Sequence, residues 1–126
     1  MKDMLRVGDV VCAKYNGFNG EEKVGIFLII YSEKQDRIYT TGHTNLNCAK
    51  ITTNNLLGNS YTVRLRQGDA NLDTDCIVNL SKQHVFTKEQ VYKKLGTLNA
   101  TSMFNVFKEL RAFNSEVEQQ ILENIY

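Results

Sequence analysis

The chain has no proline, no low-complexity stretch and no internal repeat, so nothing in it marks a proline-rich linker or a repeat array. It also lacks an excess of either charge. Lys plus Arg is 15 against 14 for Asp plus Glu, which removes any global electrostatic argument for nucleic acid and leaves only a local basic patch. No apolar run approaches the roughly 18 residues of a membrane span, and the N-terminal "MKDMLRVGDV" has no signal-peptide apolar core. The expectation is a soluble, cytoplasmic protein with no membrane partner. Cysteine is scarce and odd in number. Cys12, Cys48 and Cys76 are widely separated, each is followed by an apolar residue, and none has metal-ligand spacing. They read as small, buried, reduced thiols, with no metal and no cofactor expected.

A length of 126 residues suits a single domain over 1–126, because a chain of this size buries about two thirds of its unfolded surface and can form a core without staples. Within it, "GIFLIIY" is β-branched and aromatic, too short for a stable helix, and bounded by turn-prone polar residues, which predicts a strand over 26–31 buried on both faces. "VGDVVCAKY" predicts an earlier strand from Val7 to Lys14. The two Asn-Gly pairs of "NGFNGEE" predict a hairpin that folds the two strands together. Further strands are expected at "RIYTTGHT" (37–44), "LNCAKITT" (46–53), "SYTVRLRQ" (60–67) and "DCIVNL" (75–80). In the 60–67 segment, Tyr61, Val63 and Leu65 alternate with Thr62, Arg64 and Arg66, giving one apolar and one basic face.

After Phe86 the period changes. Thr87 with Gln90 makes a capping-box signal ahead of Val91 and Leu95, with Gly96 as a stop, which predicts a short helix over 87–96. Met103, Val106, Phe107, Leu110 and Phe113 fall on one face of a second helix. Ser115 and Glu118 predict the cap of a third, residues 114–126, whose apolar face of Val117, Ile121, Leu122 and Ile125 is expected to pack on the domain or to serve a dimer or a partner. Strands first and helices last indicate a mainly-β or α+β fold, a small antiparallel barrel-like sheet with C-terminal helices.

Three segments in order, "VGDVVCAKY", "CAKITTN" (48–54) and "LDTDCIVNLSKQHVFTKEQVYKKLGTLN" (72–99), resemble the PemK/MazF family of toxins from toxin-antitoxin systems. The resemblance covers most of residues 7–113. It implies an SH3-like barrel, usually a homodimer, that cleaves single-stranded RNA without a metal or cofactor, an arginine and a threonine acting on the scissile phosphate while the ribose 2′-hydroxyl attacks it. The threonine falls on Thr52 or Thr53. The arginine, which the family places just before the central apolar strand, falls on Gly25 or, shifted by one, Val24, and neither is an arginine. Lys23 is the nearby cation, a flexible point charge rather than a forked guanidinium.

The candidate catalytic residues are therefore Thr52, Thr53 and Lys23. Arg64, Arg66 and Lys50 are candidates for following an RNA backbone. His43 joins them as a group that titrates near neutral pH. Tyr15, Phe18 and Tyr39 could stack on bases. Two function classes stay open. One is a metal-independent endoribonuclease toxin, or a degenerate descendant of one, with single-stranded RNA and an antitoxin as partners. The other is a non-catalytic binding module or inhibitor, encoded on a phage or other mobile element, that holds a protein or nucleic acid. The missing arginine leaves the question of enzyme or not undecided at this point.

Overall fold

The computed structural model describes residues 5–32, 45–53 and 61–125. Strands β1 (Asp9–Asn16) and β2 (Glu22–Ser32) form the hairpin that the Asn-Gly pairs predict. Its turn is closed by the Gly17 N–H donating to the Glu21 carbonyl at 2.7 Å and the Gly20 N–H donating to the Gly17 carbonyl at 3.0 Å. Strands β3 (Asn45–Thr52), β4 (Thr62–Leu65), β5 (Cys76–Thr87) and β6 (Val91–Thr97) follow, and helix α1 (Ala100–Ile125) completes the chain. The strands form one sheet in the order β4-β5-β3-β2-β1-β6, antiparallel throughout. The fold is mixed α+β.

Alternation along the strands sorts the sheet into two apolar faces. Val10, Leu28, Ala49, Ile51 and Val78 face α1 and pack with Met103 and Val106. Val11, Phe27, Ile29, Cys48 and Phe86 form a second cluster on the opposite face. The central β2 run is buried from Phe27 to Ile30, as its composition requires. Burying Met103 and Val106 contributes on the order of 1.5–3 kcal/mol each, which docks the first half of α1. The Asn99 side chain caps that helix by accepting from the Ser102 N–H at 2.8 Å.

Four expectations are corrected. Over 87–96 the capping box forms, with the Thr87 N–H donating to Gln90 Oε1 at 3.0 Å, but it encloses only a single 3-10 turn, Lys88–Gln90. The remainder is β6, paired with β1 from Ala13↔Val91 to Asp9↔Thr97. Pairing with the open edge of β1 outweighs the helical spacing of Val91 and Leu95, since local propensity is a weak preference. The strand expected to end at Leu80 runs on to Thr87 through an irregularity, where the register with β3 jumps from Lys50↔Asn79 to Ala49↔Gln83. The two C-terminal helices are one. Asn114 and Ser115 cost only tenths of a kcal/mol each inside a helix, less than a new helix nucleus. Finally, the sheet is not closed by strand pairing among the described residues. Its edges, β4 and β6, are joined instead by the 69–71 turn, where Asn71 Nδ2 donates to the Leu95 carbonyl at 2.8 Å. The expected strand over 37–44, with Tyr39 and His43, lies outside the described residues.

Candidate functional site

The face away from α1 carries most of the candidate residues. On β2, Lys23, Gly25 and Phe27 alternate onto it. Tyr15 pairs with Lys23 and Ala13 with Gly25 across β1, while Lys50 pairs with Phe27 across β3. Thr52, two residues on from Lys50, is opposite Ile77, which is in turn opposite Arg64 on β4. Directly paired residues share a face in an antiparallel sheet. One surface therefore runs from Lys23 and Tyr15 through Lys50 to Thr52 and Arg64. Lys23, Val24 and Gly25, which lie ahead of the strand expected over 26–31, fall within β2, because it begins at Glu22.

Aromatic rings floor the first part of this surface. Phe27 contacts Tyr15, His84 and Phe86 edge-on at centroid distances of 5.7, 5.2 and 4.7 Å. His84 lies parallel to Phe86, 5.7 Å away. Over the rings sits the Lys50 ammonium, 4.8 Å from the Phe27 centroid and 5.9 Å from that of Tyr15, near enough for cation–π attraction. Burial, followed by the charges of Lys82 and Lys23, holds this ammonium below the usual lysine range. Burial, followed by the charges of Lys82 and Lys50, pushes the His84 imidazole below its ordinary value, which favours its neutral form. Lys23 is half-exposed and lies 3.7 Å from Glu21.

Gly25 is what admits Lys50. A Cβ built there would collide with the Lys50 ammonium and sit 3.1 Å from the Phe27 ring. Of the two positions on which the resemblance sets an arginine, Gly25 has no side chain and its space is filled by a cation from the neighbouring strand, while Val24 is exposed.

The remaining candidates lie farther along. Thr53, at the bend after β3, lines a shallow pocket of about 140 Å³ with Arg64, Asp75, Cys76 and Ile77. Arg66 falls beyond the end of β4. Its N–H donates to Asp69 Oδ2 at 2.9 Å, and the next N–H, of Gln67, donates to Asp75 Oδ1 at 2.8 Å. The arginine face of β4 is therefore mixed with carboxylates rather than purely basic. Phe18 is completely exposed on the β1–β2 hairpin, whereas Tyr15 is committed to the ring cluster. Cys48 and Cys76 are buried and Cys12 is partly so. Burial pushes the Cys48 thiol up to about 12, and among the described residues no His, Cys, Asp or Glu group is arranged to hold a metal ion. No helix among them is long and apolar enough to cross a membrane.

Two members of the site escaped sequence reasoning. Lys82 was hidden because it stands in the irregular stretch of β5. His84 reads as a structural residue ahead of a helix until β5 is seen to continue past Leu80. The alternation of His84 with Phe86 was the available signal.

The sequence profile of PemK-like, MazF-like toxins of type II toxin-antitoxin systems matches residues 6–113. No curated protein matches the chain in sequence. Among solved structures, an endoribonuclease in complex with its cognate antitoxin, from a mycobacterial species, aligns with a TM-score of 0.63 at 17% identity, over 83% of this chain and 89% of the other. The Mycobacterium tuberculosis toxin MazF-mt6 aligns with a TM-score of 0.63 at 19% identity, over 84% and 96% of the two chains. At such identities the structural likeness concerns the fold.

Proposed function

The chain belongs to the PemK-like, MazF-like toxins of type II toxin-antitoxin systems, and from that premise we propose that it is an endoribonuclease that cuts single-stranded RNA on the sheet face opposite α1. The single observation that carries this reading is the Lys50 ammonium over the Phe27 and Tyr15 rings, with the charges of Lys82 and Lys23 near enough to act on it, on the same face as Thr52. Clustered cations beside rings suit a chain of phosphates and bases.

In this reading the ribose 2′-hydroxyl attacks the adjacent phosphorus, its proton passing to the neutral imidazole of His84. The P–O5′ bond breaks and the departing oxygen takes up a proton, leaving a cyclic phosphate and a 5′-hydroxyl end. The lysines stabilise the charge that grows on the phosphate oxygens. The hydroxyl of Thr52, or of Thr53 beside Arg64, orients the phosphate. Phe18 stacks on a neighbouring base. An antitoxin is the protein partner in this proposal, as it is for the mycobacterial neighbour, and assembly as a homodimer belongs to the same reading.

The test is digestion of a long single-stranded RNA by the purified protein in EDTA, with the new ends mapped. Specific cuts bearing cyclic phosphate that disappear in Thr52→Ala/Thr53→Ala support the proposal. Cuts that persist when Lys23→Ala is added to that pair contradict the site. A second reading, a module that binds a protein without cutting RNA, is favoured by the exposed apolar tip of α1, where Ile121, Leu122 and Ile125 are each more than half exposed. It predicts intact RNA in the same digest from a well-folded sample.

A further inference from the structure

The Lys50 ammonium has an unusual set of neighbours. It is partly buried, it faces the like charges of Lys82 and Lys23, and its close contacts are the faces of Phe27 and Tyr15. Among the described residues the ion pairs are Lys23 with Glu21 and Lys94 with Asp9, and none of these carboxylates neutralises Lys50. Rings attract a cation without cancelling its charge. A partly desolvated cation that feels two other positive charges is unfavourable until an anion joins it.

We infer that Lys50, lodged in the gap left by Gly25, is the anion-binding centre of this face and takes a phosphate group, with Lys23 and Lys82 at its rim. That the phosphate belongs to single-stranded RNA rests on the proposed function; that an anion binds here rests on the geometry. Lys23 is the weaker holder, since Glu21 already shares its charge. Gly25 is a positioning residue. Its φ lies outside the left-handed region, so its backbone accepts a side chain, and what a Cβ displaces is the Lys50 ammonium. An arginine on β2 has been replaced, in this account, by a lysine reaching over from β3.

The experiment uses the full chain labelled with 13C at lysine Cε, the Lys50 resonance being assigned with Lys50→Arg. Inorganic phosphate is titrated first, then a single-stranded RNA oligonucleotide, and RNA affinity is measured by fluorescence anisotropy at several salt concentrations. Lys50→Met keeps the apolar stem on the rings, and melting temperatures confirm that each variant folds. The expected results are a phosphate-dependent shift of Lys50 larger than that of Lys23, and RNA affinity about tenfold lower in Lys50→Met. The salt slope should shrink by about 0.7. Gly25→Ala should weaken binding in the wild-type background and add nothing to Lys50→Met, because the two act as one unit. If RNA binds and Lys50→Met changes neither affinity nor slope, the inference is overturned while the RNA reading stands. If phosphate moves Lys50 but RNA is neither bound nor cut, the anion centre stands and the RNA reading falls. A Lys50 resonance indifferent to both overturns the inference.

Discussion

Gly25 and Lys50 are complementary across the β2–β3 pair: the ammonium of one fills the space that a Cβ on the other would need. The consequence is a cation fixed over the Phe27 ring without any arginine on β2. The chemistry proposed for this chain depends on that relationship more than on any single residue.

The exposed ring on the hairpin gives the first prediction. Phe18 has no packing to lose, so Phe18→Ala should leave the melting temperature within error. Stacking on a base is worth about 1–3 kcal/mol, and anisotropy with an RNA oligonucleotide should show a loss of that size.

His84 gives a pH dependence. Its folded pKa lies below the ordinary 6.5, from burial and then the charges of Lys82 and Lys50. Between those two values the unfolded chain binds more protons than the folded one, so stability falls as pH drops below about 6.5 and levels off once folded His84 is protonated. Denaturant melts at stepped pH should show this decline, and His84→Phe should flatten it. In NMR titration, Lys50→Met should move the His84 midpoint upward.

The two halves of α1 should respond differently to truncation of side chains. Met103 is buried against the sheet, and Met103→Ala should cost about 2–5 kcal/mol. Leu122 is more than half exposed, and Leu122→Ala should stay within about 0.5 kcal/mol. Chemical denaturation of the two variants makes the comparison.

The joint between the sheet edges is tight. A Cβ on Gly96 would lie 2.7 Å from backbone atoms of Ala70, which cannot rotate away as a side chain can. Gly96→Ala should destabilise the fold by about 1–3 kcal/mol, with hydrogen exchange accelerated at Asn71 and Leu95.

The hairpin, the buried β2 run and the first half of α1 were legible in the sequence, because Asn-Gly turns, an apolar run and the spacing of Met103, Val106 and Leu110 are local signals. β6 was not. Thr87, Gln90, Val91 and Leu95 satisfy a helical pattern, and only the free edge of β1 decides against it. The exposure of Ile121 and Ile125 was equally hidden, since an apolar stripe does not state how far the surface beneath it extends. At the site, Thr52, Lys23 and Lys50 could be named singly. The approach of Lys50 to Lys23, Lys82 and His84 depends on cross-strand register and on the irregularity in β5, neither of which is written in any one segment.

The most direct test of the account is the rate at which a defined single-stranded RNA is cut by the wild type, by Lys50→Ala, and by Lys50→Ala/Gly25→Arg. Loss of the central cation should slow cleavage by about 10²- to 10³-fold, and an arginine at position 25, with the space vacated by Lys50, should restore much of that rate. Cleavage by Lys50→Ala at the wild-type rate would contradict the claim that Lys50 stands in for the arginine.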